Sequence, residues 1–208
     1  MQPTWVESSR LWLVLDRRAA APLSLHEVTR QAISGGVDVV LCRIKDAARE
    51  EVRRESSAVR ALCREERIPF VMSHFPDLAL ELEAEGVQLG VEDAPLNEVR
   101  AQVGEGMVIG YSTHSVEEAR RRFDEGADYV FLGPVFATPE KLKYGYPLGV
   151  AVVNAASGLP GPVVFIGGIS LANVGQITGL GGRRIAAISS LQRVGDPAEA
   201  ARRLREML

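Results

Sequence analysis

Eight short apolar runs, each followed by a charged or amphipathic stretch, constrain this chain more than any other feature. The runs are Leu11–Leu15, Val37–Cys42, Phe70–Met72, Gly86–Leu89, Met107–Gly110, Tyr129–Leu132, Pro162–Ile166 and Ile185–Ile188. Continuous runs rich in Val, Ile and Leu, rather than alternating ones, suit parallel strands buried on both faces. Helical spacing lies between them. Leu25 to Ile33 carries apolar residues on one face behind Ser24 as N-cap, and Arg49 to Glu66 is long and charged. Ser115-Val116-Glu117-Glu118 reads as a capping box, and Asp196-Pro197 as an N-cap with proline in the first turn. Gly35-Gly36, Gly86, Gly126 and Gly181-Gly182 read as stops that cap helix C-termini. Eight β/α pairs in 208 residues predict a small (β/α)8 TIM barrel, a single domain over 10–208 behind a loose lead-in at Met1–Ser9. The rival is a doubly wound open sheet. Short, even spacing and the lack of GxGxxG after the first run favour the barrel.

Composition narrows the function classes. A net charge of −3 gives no reason to expect a nucleic-acid partner. No apolar run approaches the roughly 18 residues of a membrane helix, and nothing at the N-terminus has a signal-peptide pattern, so no membrane partner is expected. Cys42 and Cys63 have no metal-ligand spacing and form no disulfide framework; they read as thiols of a reducing cytoplasm.

In a barrel of this kind, chemistry sits at the C-terminal ends of the strands. Arg43 and Lys45 follow the second run two residues apart, so they project the same way, as binding cations or as a solvated basic rim. Ser73 and His74 follow the third, His74 reading as a rim residue. Glu92 and Asp93 follow the fourth, where they can bind metal or, by default, cap the next helix. Ser112, His114 and Ser115 follow the fifth, where serines cap the helix or bind phosphate. The sixth run is followed by "GPVFATPEKLKYGYPLG", too long for a turn, with Thr138, Lys141 and Lys143. It reads as a flap whose lysine neutralises phosphate when the mouth closes. Gly167 and Gly168 follow the seventh run, and Ser189 and Ser190 follow Ile188 at the end of the eighth. A glycine pair and small polar residues at those two consecutive ends point to a phosphate held by backbone N–H groups.

"CRIKD", "GVQLGVEDAP", "GYSTHSVEEA", "GADYVFLGPVFATPEK" and "IGGIS" resemble the thiamine phosphate synthase and TenI-like thiazole tautomerase family across most of the chain. The synthase resemblance implies joining of hydroxymethylpyrimidine diphosphate to thiazole phosphate with release of diphosphate, assisted by Mg²⁺. It places Arg43, Lys45, Ser112, Thr138 and Lys141 on the diphosphate, Asp93 on the metal, and Gly168 with Ile188 and Ser189 on the thiazole phosphate. Against that pattern, the chain has Leu41 and Val91 in place of glutamines, Ser73-His74 in place of Asn-Asp, and Glu140 in place of the second flap threonine. A histidine serves a hard cation poorly, and a glutamate beside diphosphate repels it. These departures cluster on the pyrimidine side. The TenI-like branch acts on a thiazole carboxylate phosphate without metal, through a histidine matching His114.

The sequence reading is therefore a phosphate-binding barrel of thiamine biosynthesis, first a tautomerase, with a synthase of altered Mg²⁺ site second and a non-catalytic binder third. Its catalytic candidates are His114 and Lys141. No cofactor is needed for the tautomerase and Mg²⁺ for the synthase. The partner is a small-molecule thiazole phosphate; the resemblance allows a homodimer, which some family members form, and the sequence itself does not set the oligomeric state.

Overall fold

A computed structural model describes residues 4–45, 47–137 and 146–208. The first half runs α1 (Thr4–Ser8), β1 (Leu11–Asp16), α2 (Arg17–Ala20), α3 (Leu25–Ser34), β2 (Val39–Arg43), α4 (Arg49–Glu65), β3 (Phe70–Ser73), α5 (Pro76–Glu81), β4 (Gly86–Leu89) and α6 (Leu96–Val103). It continues through β5 (Val108–Thr113), α7 (Val116–Asp124), β6 (Tyr129–Leu132), α8 (Val152–Ala155), β7 (Val163–Ile166), α9 (Val174–Thr178), β8 (Ile185–Ala187), α10 (Ser189–Gln192) and α11 (Pro197–Glu206). The strands pair in parallel in sequence order, and β8 closes on β1 with Leu11 opposite Ile185. This is the TIM barrel read from the sequence, and it excludes the open sheet.

Pleating divides the core in two. Trp12, Val14, Val39, Leu41, Val71, Tyr129, Phe131, Val164 and Ala186 fill the interior, while the intervening residues pack under the helices. The interior is plugged by aromatics. The Trp12 ring lies 5.0 Å from Tyr129 and 5.4 Å from Phe131, centroid to centroid, in tilted and edge-on geometry. A parallel barrel cannot leave this space open, because strand interiors without packing partners lose dispersion contacts outright.

Carboxylates organise the N-terminal face. Asp38 accepts from the Arg10 and Leu11 amides at 2.7 and 2.9 Å. Asp128 accepts from the Ile109 amide and from Arg100, both at 2.7 Å. Glu85 accepts from the Phe70 amide at 2.8 Å and pairs with Arg60. Each ties the start of one strand to its neighbour, a stabilising role suited to the face away from the chemistry.

Three expectations need correction. Within the expected loose lead-in, residues 4–8 form α1, which covers the lower end of the barrel, with Val6 buried, Trp5 against Trp12 at 5.8 Å, and Arg184 donating to the Val6 carbonyl at 3.1 Å. Gly86 is not a helix stop but the first residue of β4. A β-carbon there would lie 3.0 Å from the Val108 carbonyl oxygen, so the glycine permits a close strand approach. Strand ends also shift: β3 continues to Ser73 and β5 to Thr113, whereas β8 stops at Ala187 and Ile188 becomes the N-cap of α10. Among the described residues, no helix is long and apolar enough to cross a membrane.

Cys42 and Cys63 are free and buried between barrel and helices, and burial pushes both thiols up to about 12. The native protein is therefore expected to be inert to a thiol reagent such as Ellman's at pH 8 and to release two equivalents only on denaturation. Fast labelling of either cysteine in the native state would contradict this packing.

Candidate functional site

The upper rim is built by strand ends whose last interior-facing residues turn polar. In β1 and β2 the interior phase ends at Asp16 and Arg43, which are register partners and form an ion pair at 3.0 Å. Asp16 is fixed twice more. Its side chain caps α2 by accepting from the Arg18 amide at 2.9 Å, and its own amide donates to Gln192 Oε1 at 3.0 Å. Gln192, buried, anchors in turn by donating to the Val14 carbonyl at 2.7 Å. Arg43 thus presents its guanidinium at the mouth from a preorganised position. Lys45 follows, exposed, as the alternation of β2 anticipates. Sequence reasoning missed Asp16 and Gln192; the visible signal for Asp16 was a carboxylate ending the first apolar run.

His74 and Asp93 meet. His74 Nδ1 lies 2.7 and 2.9 Å from the two Asp93 carboxylate oxygens, and the Gly90 amide donates to Asp93 Oδ2 at 2.6 Å. The expected helix-capping role of Asp93 is incorrect, because α6 begins behind Pro95 with no side-chain cap. His74 is also more than a rim residue. Its backbone lies in the left-handed region at φ 58°, uncommon for a residue with a β-carbon, and its amide donates to the Gln88 carbonyl at 2.9 Å.

Ser112 ends the interior phase of β5 and receives a hydrogen bond from Gln88 Nε2 at 3.0 Å. Ser115, in contrast, caps α7 by accepting from the Glu118 amide at 3.0 Å. The two serines therefore divide the capping and mouth-facing roles that the sequence left open. His114 stands between them with a half-exposed ring, its Nδ1 3.6 Å from Glu118 and its amide donating to the same carboxylate at 2.8 Å.

The loops after β7 and β8 form one cradle. Gly167 and Gly168 have φ of 101° and 67°, a conformation that favours glycine. A β-carbon on Gly167 would lie 2.5 Å from Pro134, and one on Gly168 would lie 2.8 Å from the Phe136 β-carbon. The chain leaving β6 is thus laid directly over the glycine pair, and Phe136 donates to the Gly167 carbonyl at 3.0 Å. Asn173 holds the loop from the other side, donating to the Gly168 carbonyl and accepting from the Ser170 amide, both at 2.8 Å. Ser190 Oγ ties it to the start of α10 by donating to the Ile169 carbonyl at 2.8 Å. Ser189 is exposed in the first turn of α10, where helix amides lack intrahelical acceptors. Thr138, Glu140, Lys141 and Lys143, the flap residues, lie outside the described residues.

The donor set does not fit Mg²⁺. That cation requires near-octahedral oxygen coordination, supplied by carboxylates, phosphates and water. Here the Asp93 carboxylate is already engaged by an imidazole and an amide, and the neighbouring position offers nitrogen. Among the described residues, no group of three or more His, Cys, Asp or Glu could hold a metal ion.

Comparison with known proteins places this geometry. The family model described as "Thiamine monophosphate synthase" matches residues 11–191. A protein named thiamine-phosphate synthase from Thermus thermophilus is 40% identical over 203 residues, covering 96% of this chain and 97% of its own. One of the same name from Halalkalibacterium halodurans is 37% identical over 183 residues, covering 88% and 87%. The solved structure of thiamine phosphate pyrophosphorylase from Pyrococcus furiosus superposes with a TM-score of 0.88 at 31% identity, covering 97% of this chain and 96% of that one.

Two outcomes test the site. Gly168→Val should weaken binding of a phosphate ligand by at least ~2 kcal/mol, by closing the backbone approach and leaving polar groups unpaired. Unchanged affinity, with folding checked by thermal unfolding, would move the anion elsewhere. Calorimetric titration with Mg²⁺ alone should be flat for the native chain and give a measurable isotherm for His74→Asp, which supplies a second carboxylate. Tight binding by the native chain, abolished in Asp93→Asn, would reinstate the metal site.

Proposed function

This chain belongs to the thiamine monophosphate synthase family, and from that premise we propose that it is a transferase joining hydroxymethylpyrimidine diphosphate to thiazole phosphate. The observation that carries this reading is the pairing of two anion-binding features on one rim. A backbone cradle lies at the ends of β7 and β8, and the cations Arg43 and Lys45 with Ser112 lie across the mouth at β2 and β5. A single phosphate substrate needs one such site; a phosphate and a diphosphate need two. The names carried by relatives at 37–40% identity support the same reaction, in preference to the tautomerase expected from the sequence departures.

In this reaction the bond between the pyrimidine methylene carbon and the diphosphate oxygen breaks, and its electron pair leaves with diphosphate. The thiazole nitrogen then donates its lone pair to the methylene cation, forming the C–N bond. Arg43 offers a planar fork suited to phosphate oxygens, held in place by Asp16, and stabilises the charge that grows on the leaving group. Lys45 adds a mobile positive charge at the rim. The cradle contributes fixed amides that hold the thiazole phosphate, so that the ring nitrogen faces the methylene carbon. No step is assigned to a divalent cation, since the residues at positions 74 and 93 do not fit one.

A second reading, the thiazole tautomerase, is favoured by His114 at the mouth end of β5 and by Leu41 and Val91 on the pyrimidine side. Incubation with both synthase substrates, and separately with the thiazole carboxylate tautomer, separates the two. Formation of thiamine phosphate and diphosphate in equal amounts, with turnover retained to within about tenfold in His114→Asn, is the outcome expected of the transferase. No thiamine phosphate, together with tautomer conversion that falls about 10²–10⁴-fold in His114→Asn, would establish the isomerase instead.

A further inference from the structure

Beneath the mouth lies a buried polar pair that neither the barrel packing nor the reaction above uses. Gln88, 3% exposed, sits on β4 at the level of Gly110 on β5 and Tyr129 on β6, three register neighbours facing the interior. Gln88 Oε1 and the Tyr129 hydroxyl are both buried, and neither has a hydrogen-bond partner among the described residues. They border the same space. A β-carbon on Gly110 would collide with both the Tyr129 Cζ and Gln88 Oε1, so the absence of a side chain there is what admits the two groups together. The other end of the amide is engaged, with Nε2 donating to Ser112 Oγ at 3.0 Å.

We propose that Gln88 is a positioning residue that sets the direction of the Ser112 hydroxyl, holding it as a donor toward an anionic oxygen in the mouth. The inference rests on the assignment of Ser112 to an anion. Its logic is a count of protons. A serine hydroxyl has one hydrogen and two lone pairs. Once the Gln88 amide donates to one lone pair, the Ser112 hydrogen is free to point up to a phosphate oxygen. With the amide reversed, Oε1 would draw the Ser112 hydrogen down into the barrel and present the anion with a lone pair. As observed, Nε2 donates to Ser112, which leaves the hydroxyl hydrogen for the mouth.

A double-mutant cycle read by binding of inorganic diphosphate tests this. Ser112→Ala and Gln88→Met should each weaken binding by about tenfold, and the double variant should bind no worse than Ser112→Ala alone. Gln88→Leu, which likewise lacks the Nε2 donor, should behave as Gln88→Met does and serves as the second probe should Gln88→Met fail to fold. Thermal unfolding of each variant separates packing from positioning, because a purely structural Gln88 would change stability without coupling to Ser112. Additive losses from Gln88 and Ser112 overturn the proposal. A loss in Ser112→Ala with full affinity in both Gln88→Met and Gln88→Leu overturns the positioning role while leaving the transferase site intact. Full affinity in Ser112→Ala removes the anion from Ser112 and overturns the proposal together with that part of the site.

Discussion

Closure of the parallel sheet is the constraint on which everything else in this protein depends. Once β8 pairs with β1, every second residue of every strand must enter one narrow interior. At the centre of the barrel that space is filled by Trp12, Tyr129 and Phe131. One layer higher, the same phase delivers Asp16, Arg43, Ser73 and Ser112 to the mouth. The pleat that requires large apolar residues below thus also spaces the polar groups above. The rim is a consequence of the packing rather than an addition to it, and Gly110 illustrates the coupling. Its missing side chain lets Tyr129 and Gln88 share one layer, and Gln88 in turn reaches Ser112 at the rim.

The two anion sites proposed for this rim differ physically. The cradle after β7 and β8 offers main-chain geometry: positive φ at Gly167 and Gly168, and a chain crossing laid within van der Waals reach of them. Across the mouth the rim offers charge, with Arg43 braced by Asp16 and Asp16 braced by Gln192. Where a carboxylate pair would suit a hard cation, this chain has joined His74 to Asp93. That pair satisfies Asp93 internally, and in the proposed reaction the charge of diphosphate falls to arginine and lysine.

The fold was legible because its signals are local and repeated. Runs of Val, Ile and Leu gave strand positions, and Ser24, Ser115 and Asp196 cap their helices as their chemistry requires. Gly167-Gly168 and the Arg43–Lys45 spacing were legible for the same reason, since φ and pleat phase are properties of short segments. The His74–Asp93 pair was not, because it joins β3 and β4 ends across 19 residues of chain and depends on the Gly90 loop to turn Asp93 inward. Asp16 and Gln192 escaped notice because their contact arises only when β1 closes against β8 and brings Gln192 of α10, 176 residues away, to Asp16. Helix α1 was read as loose because a five-residue segment has little periodicity of its own; it is held by Trp12 of β1 and by Arg184, which the sequence places 178 residues from Val6.

A crystal structure of the protein with thiazole phosphate tests the central claim most directly. The account expects the phosphate oxygens within hydrogen-bonding distance of the Gly168 and Ser189 amides, with the thiazole ring extending toward Arg43 and Ser112. Phosphate density confined to the cationic side, or to any position away from the β7 and β8 ends, would contradict it.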